Sequence, residues 1–232
     1  MDNKEIRYLV LTPEIEFRAL EDESGSKLAG YASIFNQLSN PMRYWKEGEG
    51  DIIFREKILE GAFDGALVNP TYDIFYNVDH EDRLLIATLF SKTLSLNADT
   101  KGLRFEASVD LNVSYAKDLY NNVKSGRIYS NSFAFTVAEE AWEKVGDKDW
   151  IRTISKVGSL FDVSSVSRAA YPNTELAARS LQTEIDKENE QKNNLIEDEN
   201  KKQEAEKLIK RKLDEDFITR IRVKIKTRTL DI

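Results

Sequence analysis

The sequence predicts an α+β fold, a small and mainly antiparallel β-barrel or sandwich flanked by helices, followed by a charged helical tail. Three observations carry this expectation. Between residues 27 and 180 short apolar runs are broken by turn residues, only two stretches there read as helices, and after Arg179 no Gly or Pro occurs to the end of the chain. The 232 residues, 41% hydrophobic and 10% aromatic, are enough to bury one substantial core and leave an appendage. The expected division is a domain over 1–181 and a tail over 182–232.

Candidate strands are 28–35, 73–78, 84–90, 93–97, 103–109, 127–137, 150–156 and 160–167, punctuated by glycines at 30, 102, 126, 146 and 158. Two helices are expected, over 55–67 and 113–125. The second has Asn112 as N-cap, Ala116, Leu119, Tyr120 and Val123 on one face, and Gly126 where a left-handed residue ends a helix. In the tail, Ala205, Ile209, Leu213, Phe217 and Ile221 recur every four residues as one apolar stripe, a packing face for a partner or coiled coil. Arg222-Val223-Lys224-Ile225-Lys226 then alternates, as a strand would, or as a segment meeting an acidic surface.

Charge and composition exclude several function classes. The formal net charge is −7, so the whole molecule repels polyanions and is a poor general nucleic-acid binder. Residues 182–232 hold 13 basic and 13 acidic residues, sharply divided: 4 basic against 9 acidic as far as Glu206, then 9 against 4. The absence of cysteine removes disulfides, thiol nucleophiles and cysteine-ligated zinc, and it suits a reducing compartment. The apolar run from Tyr8 to Leu11 is too short for a signal sequence or a membrane span. Asn112-Val113-Ser114 fits a glycosylation pattern that has no meaning without secretion.

His80 is the only histidine, and imidazole is the side chain best suited to exchange protons near neutral pH. It lies just past a predicted strand, among carboxylates, where a plain solvated histidine is the alternative. Along 129–137, Asn131, Phe133, Phe135 and Val137 share one face, while Ser130, Ser132, Ala134 and Thr136 share the other. A row of small side chains leaves room for another chain to approach, as a protease cleft requires, or for a packed helix. Asp162 sits in the apolar run from Leu160 to Val166, where a buried carboxylate needs a partner such as a histidine N–H; an exposed edge position is the alternative. A metal site on Asp79, His80, Glu81 and Asp82 is disfavoured, because neighbours in sequence rarely converge on one ion.

Five segments over 27–180 together resemble the prohead proteases of tailed bacteriophages, a family distantly similar in fold to the herpesvirus assemblins. Gly30-Tyr31-Ala32-Ser33-Ile34-Phe35-Asn36 is similar to the family's G-Y-A-x-x-F-N, and Phe54-Arg55-Glu56-Lys57-Ile58-Leu59-Glu60-Gly61-Ala62-Phe63 to its F-x-E-x-I-x-x-G-A-F. Val78-Asp79-His80-Glu81 resembles its N-H-D segment and Ser130-Asn131-Ser132-Phe133-Ala134-Phe135 its G-x-S-F-G-F. Leu160-Phe161-Asp162-Val163-Ser164-Ser165-Val166-Ser167-Arg168-Ala169-Ala170-Tyr171-Pro172 resembles L-x-E-V-S-x-V-x-x-P-A-Y-P. Order and spacing carry the resemblance more than any single motif. Ser130 and Ala134 replace flanking glycines, Ala169 replaces a proline, and Asp162 stands where glutamate is commoner, so its bond to His80 needs a closer backbone approach.

The resemblance implies a herpesvirus-protease-like barrel and a serine endopeptidase with His80, Ser132 and Asp162 as its catalytic triad. It also implies oxyanion donors from the backbone near Arg168, with the Arg168 side chain as a further candidate. The implied substrates are scaffold segments of capsid proteins, above all of the major capsid protein, and the enzyme itself; the implied setting is the immature phage head in the host cytoplasm. Self-association as a dimer is a further expectation. No cofactor, metal, membrane or sequence-specific nucleic acid is expected. The rival reading is a catalytically silent assembly or scaffold protein with a coiled-coil tail.

Overall fold

The computed structural model describes residues 4–10, 17–22, 25–47, 50–68, 70–167 and 175–228. In chain order the elements are β1 (Glu5–Val10), β2 (Phe17–Asp22), β3 (Gly25–Ile34), β4 (Met42–Lys46), β5 (Gly50–Ile58), α1 (Asp64–Val68), β6 (Phe75–Val78) and β7 (Glu81–Thr88). They continue with β8 (Leu94–Ala98), β9 (Gly102–Ser108), α2 (Ser114–Lys124), β10 (Ser130–Lys144), β11 (Asp149–Val166) and α3 (Glu175–Arg228). The chain divides into two compact units, Met1–Arg179 and Ser180–Ile232.

The fold is α+β, but the expected barrel is corrected. Among the described residues there are two sheets and no closed barrel. One is a seven-stranded mixed sheet in the order β1-β10-β11-β5-β4, with β6 pairing β11 and β7 pairing β6. The other is a four-stranded antiparallel sheet in the order β2-β3-β9-β8. The sheet is mixed because β11 runs parallel to β5 along 149–154 and parallel to β6 along 162–165. Those two strands reach β11 through connections that a hairpin pattern does not reveal.

A second correction concerns β11, read from sequence as two strands separated at Gly158. Here Gly158 allows close approach and makes no turn: a Cβ at this position would lie 2.8 Å from Thr136 Oγ1. The backbone passes through, with Ser159 N–H donating to Thr136 Oγ1 at 2.9 Å beside the bulges of the β10–β11 ladder. A third correction is the expected helix over 55–67. Its first part is the end of β5, where Ile52, Phe54, Glu56 and Ile58 are all buried, and only the five residues of α1 are helical. A charged residue on the inward face hid the strand's period of two.

Helix α2 forms as expected, burying Ala116, Leu119, Tyr120 and Val123. Gly126 has φ +71° and donates its N–H to Val123 O at 2.9 Å, the left-handed stop the sequence calls for. Asn112 does not cap it. Val113 holds the N-cap position without a side-chain bond, and Asn112 turns back to donate both its N–H and its amide to Asp110 Oδ1, each at 2.9 Å.

Under the sheets lies a core in which Phe63 packs on Phe133 with centroids 5.8 Å apart, Phe133 on Phe135 at 4.9 Å, and Tyr76 on Phe105 at 5.0 Å. The bulky face of β10 that alternation identifies is therefore the core face. Gly102, where β9 meets the bulge in β3, is required sterically: a Cβ would stand 2.0 Å from Ser33 O. Gly102→Ala is expected to cost about 1–3 kcal/mol in thermal unfolding. Gly65→Ala, in α1 with nothing within 4 Å of the new carbon, is expected to be neutral or stabilising by up to about 1 kcal/mol.

In the second unit α3 is one continuous helix to Arg228, so residues 222–226 are helical and do not form the expected strand. An uninterrupted run of helix formers propagates, whereas a strand needs a ladder partner. Ala205, Ile209 and Phe217 of the expected stripe are exposed; the side chains of Leu213 and Ile221 lie outside those described. Pairs such as Lys192–Glu188 at 2.8 Å and Lys201–Glu197 at 2.8 Å line the helix surface.

Candidate active site

Ser132 sits near the start of β10, flanked in register by Tyr8 of β1 and Ser164 of β11. Paired residues project to the same side of a sheet, so Tyr8, Ser132 and Ser164 share the face opposite the phenylalanines. Asp162 pairs with Ala134 two residues along and projects to that same face. Nucleophile and carboxylate therefore stand on two adjacent, fully laddered strands. Ser132 is 0% exposed and Asp162 2%.

His80 arrives on a hairpin. Val78 pairs with Glu81, and the two residues between them, Asp79 and His80, have φ +51° and +60°. A two-residue loop with both residues left-handed is the turn that normally takes Asn-Gly, and the conformation costs a residue with a Cβ about 1–2 kcal/mol. Strand β11 holds the turn in place. Asp79 N–H donates to Ser165 O at 3.0 Å, Ser167 N–H to Asp79 Oδ1 at 3.1 Å, and His80 N–H to Ser164 Oγ at 3.0 Å.

The imidazole bridges the other two residues. Nδ1 lies 2.5 Å from Asp162 Oδ1 and Nε2 lies 2.6 Å from Ser132 Oγ. A carboxylate only accepts, so Nδ1 carries the proton and Nε2 is left to accept from the serine hydroxyl. That hydroxyl has a second acceptor, the Arg7 carbonyl at 3.0 Å. Strand β1 and the residue before it touch all three residues: Lys4 Nζ pairs with Asp162 Oδ2 at 3.1 Å, the Arg7 carbonyl meets Ser132, and the Tyr8 ring stands edge-on to His80 at 6.2 Å. Burial, then the charges of Asp79 and Asp162, push the Tyr8 hydroxyl pKa up, so Tyr8 stays a neutral neighbour.

Sequence reasoning named the three residues that converge here. It missed Lys4, Asn77 and Ser164. Ser164 belongs to the same motif as Asp162 and alternates with it along β11, which was the available signal; Lys4 carried none. Arg168, expected near the oxyanion, lies outside the described residues. The acidic neighbours of His80 diverge: Asp79 binds the Ser167 N–H and Glu81 pairs with Arg83 at 3.1 Å. Among the described residues no group of three or more His, Asp or Glu could hold a metal ion, and no helix is long and apolar enough to cross a membrane.

A buried hydroxyl, an imidazole and a carboxylate joined in this order form the arrangement that makes a serine nucleophilic. Residues 13–189 match the protein family described as Caudovirus prohead serine protease. No curated protein and no solved structure matches the chain.

Proposed function

Because the chain belongs to the caudovirus prohead serine protease family, whose members mature phage capsids, we propose that it is an endopeptidase with Ser132 as nucleophile, His80 as general base and acid, and Asp162 as the group that orients the imidazole. The observation that carries the reading is the bridge through His80, 2.6 Å to Ser132 and 2.5 Å to Asp162. As Ser132 Oγ attacks a peptide carbonyl, Nε2 takes its proton and later returns it to the leaving amine; water then repeats the cycle against the acyl-enzyme. Asp162 holds the tautomer and stabilises the imidazolium. Arg168 and its backbone remain the proposed oxyanion donors on the strength of the resemblance alone.

The proposed substrates are the scaffold segments of capsid proteins, chiefly the N-terminal part of the major capsid protein, and the chain itself, cut inside the immature head within the host cell. For attack the Ser132 proton must leave the Arg7 carbonyl and point to His80 Nε2. The test is co-expression with the cognate capsid protein, read by intact mass. Shortened capsid protein with the wild type but not with Ser132→Ala supports the proposal; identical masses would return the chain to the rival role of silent scaffold.

The tail is proposed to dock the enzyme with scaffold during assembly, its acidic first part and basic second part offering two charged faces. Truncation after Arg179 is expected to keep peptidase chemistry and lower incorporation into heads several-fold, measured by quantitative immunoblot of purified proheads. Unchanged incorporation would sink the docking role.

A further inference from the structure

We infer that Ser164 is a positioning residue for catalysis, holding through its hydroxyl the left-handed turn that delivers His80 between Ser132 and Asp162. The inference rests on the triad reading above. Of the three bonds that hold the turn's backbone segment from Ser164, Ser165 and Ser167, two involve Asp79, and only the one from His80 N–H to Ser164 Oγ, at 3.0 Å, holds the histidine's own backbone. Ser164 is fully buried within the β10–β11 ladder, directly opposite Ser132, so its hydroxyl is fixed to the strand pair that carries the nucleophile. It ties the base's backbone to the nucleophile's own support.

The rest of the hydroxyl's bonding fits this role. A serine hydroxyl has one proton to donate. Two acceptors surround it, Asn77 Oδ1, which is nearest, and Asp162 Oδ1 at 3.3 Å, while the protonated Nδ1 of His80 lies 3.4 Å away. By donating to Asn77, Ser164 leaves Asp162 Oδ1 to accept the Nδ1–H of His80, and its own lone pairs to accept from the His80 backbone. Without Asn77 the same hydroxyl would compete with the imidazole for the carboxylate.

Asn77 itself is fully buried, and its amide nitrogen has no hydrogen-bond partner. An unsatisfied buried donor is a net cost, so a residue there for packing alone is better apolar. What the asparagine contributes is the acceptor for Ser164. The relay therefore runs from Asn77 through Ser164 to the His80 backbone, and it sets the imidazole's position without touching any reacting atom.

The sole histidine makes the test direct, because histidine-selective 15N labelling of the full chain yields one imidazole. In the wild type the ring spectrum is expected to show one tautomer with a protected Nδ1–H. Ser164→Ala is expected to broaden or abolish that proton signal. It should also slow the labelling of Ser132 by a fluorophosphonate probe roughly ten- to a hundredfold in kinact, with KI within about twofold. Ser164→Thr keeps a hydroxyl and is expected to recover most of the rate; Ser164→Val, of the same shape without it, is not.

Wild-type kinact and ring spectrum in Ser164→Ala, with Ser132→Ala inert, would overturn the inference alone. Undiminished labelling of Ser132→Ala would instead remove the triad reading beneath it. Should Ser164→Ala fail to fold, the Thr and Val variants decide, and equal kinact in the two overturns the inference.

Discussion

Replacing Ser132 with Ala is expected to lower peptide-bond hydrolysis by at least about 10⁴-fold while leaving the fold intact. Among the described residues no other nucleophilic side chain is held against His80 Nε2. The substitution removes one oxygen and the one proton that it shares between His80 Nε2 and the Arg7 carbonyl, so little packing is lost. His80→Ala is expected to fall to nearly the same floor, and the double variant no further, because the two residues act as one unit. Asp162→Asn tests the third member. An amide turned toward Nδ1 can donate, which favours the opposite tautomer, and Lys4 loses its ion pair at the same time. A loss of about 10²- to 10⁴-fold is expected there. Single-turnover cleavage of a capsid-protein scaffold peptide, with circular dichroism as the control for folding, measures all four. A wild-type rate in any single variant removes that residue from the proposed mechanism.

The sequence made the proposed serine and histidine legible for different reasons. His80 is the only base of its kind, and the alternation along β10 separates the phenylalanine face from the small face that carries Ser132. Helix α2 was legible because its apolar period and Gly126 agree. What failed shares a cause: charged residues standing on buried faces. Glu56 made β5 look helical, and Glu5 and Arg7 made β1 look like nothing at all, though β1 meets Ser132 and His80 and Lys4 just before it meets Asp162. The open mixed sheet was illegible for another reason. Parallel pairing of β11 with both β5 and β6 depends on long-range order that short-range turn signals do not encode. Gly158 misled because close approach and a turn leave the same mark in a sequence.

The charges that obscured β1 and β5 are also where the largest stability effect is expected, on replacing Arg152 with Met. Arg152 is 2% exposed and reaches Glu5 at 2.8 and 2.9 Å, Glu56 at 2.6 Å and Glu140 at 2.5 Å, with its guanidinium 5.6 Å from the Trp142 ring. Arg7 completes the cluster, binding Glu56 through Nε and, from Nη2, Glu5 at 2.5 Å and Glu56 at 2.7 Å. The network joins β1, β5, β10 and β11 across the sheet that carries the site. Methionine fills a similar volume, but it leaves the buried Glu5 and Glu56 with one guanidinium, that of Arg7, in place of two, and an uncompensated buried charge typically costs about 3–5 kcal/mol. Burial alone would push the Glu56 carboxyl up; the charges and hydrogen bonds of Arg7, then of Arg152, outweigh it and hold Glu56 below the usual carboxylate range. A carboxyl with a depressed folded pKa contributes stability that is present above its unfolded pKa and lost as pH falls through the folded value. In Arg152→Met only Arg7 still opposes the burial of Glu56, so the depression is smaller and less stability accrues as pH rises through the carboxylate range. Urea midpoints of wild type and variant are therefore expected to draw together as pH falls below the ordinary glutamate value of 4.5, the wild type losing more. Adding Glu56→Leu to Arg152→Met restores one acid against one base in the buried part and is expected to recover about half of the loss or more, a coupling that a double-mutant cycle reads directly. Additive losses would show that the two residues do not form one electrostatic unit.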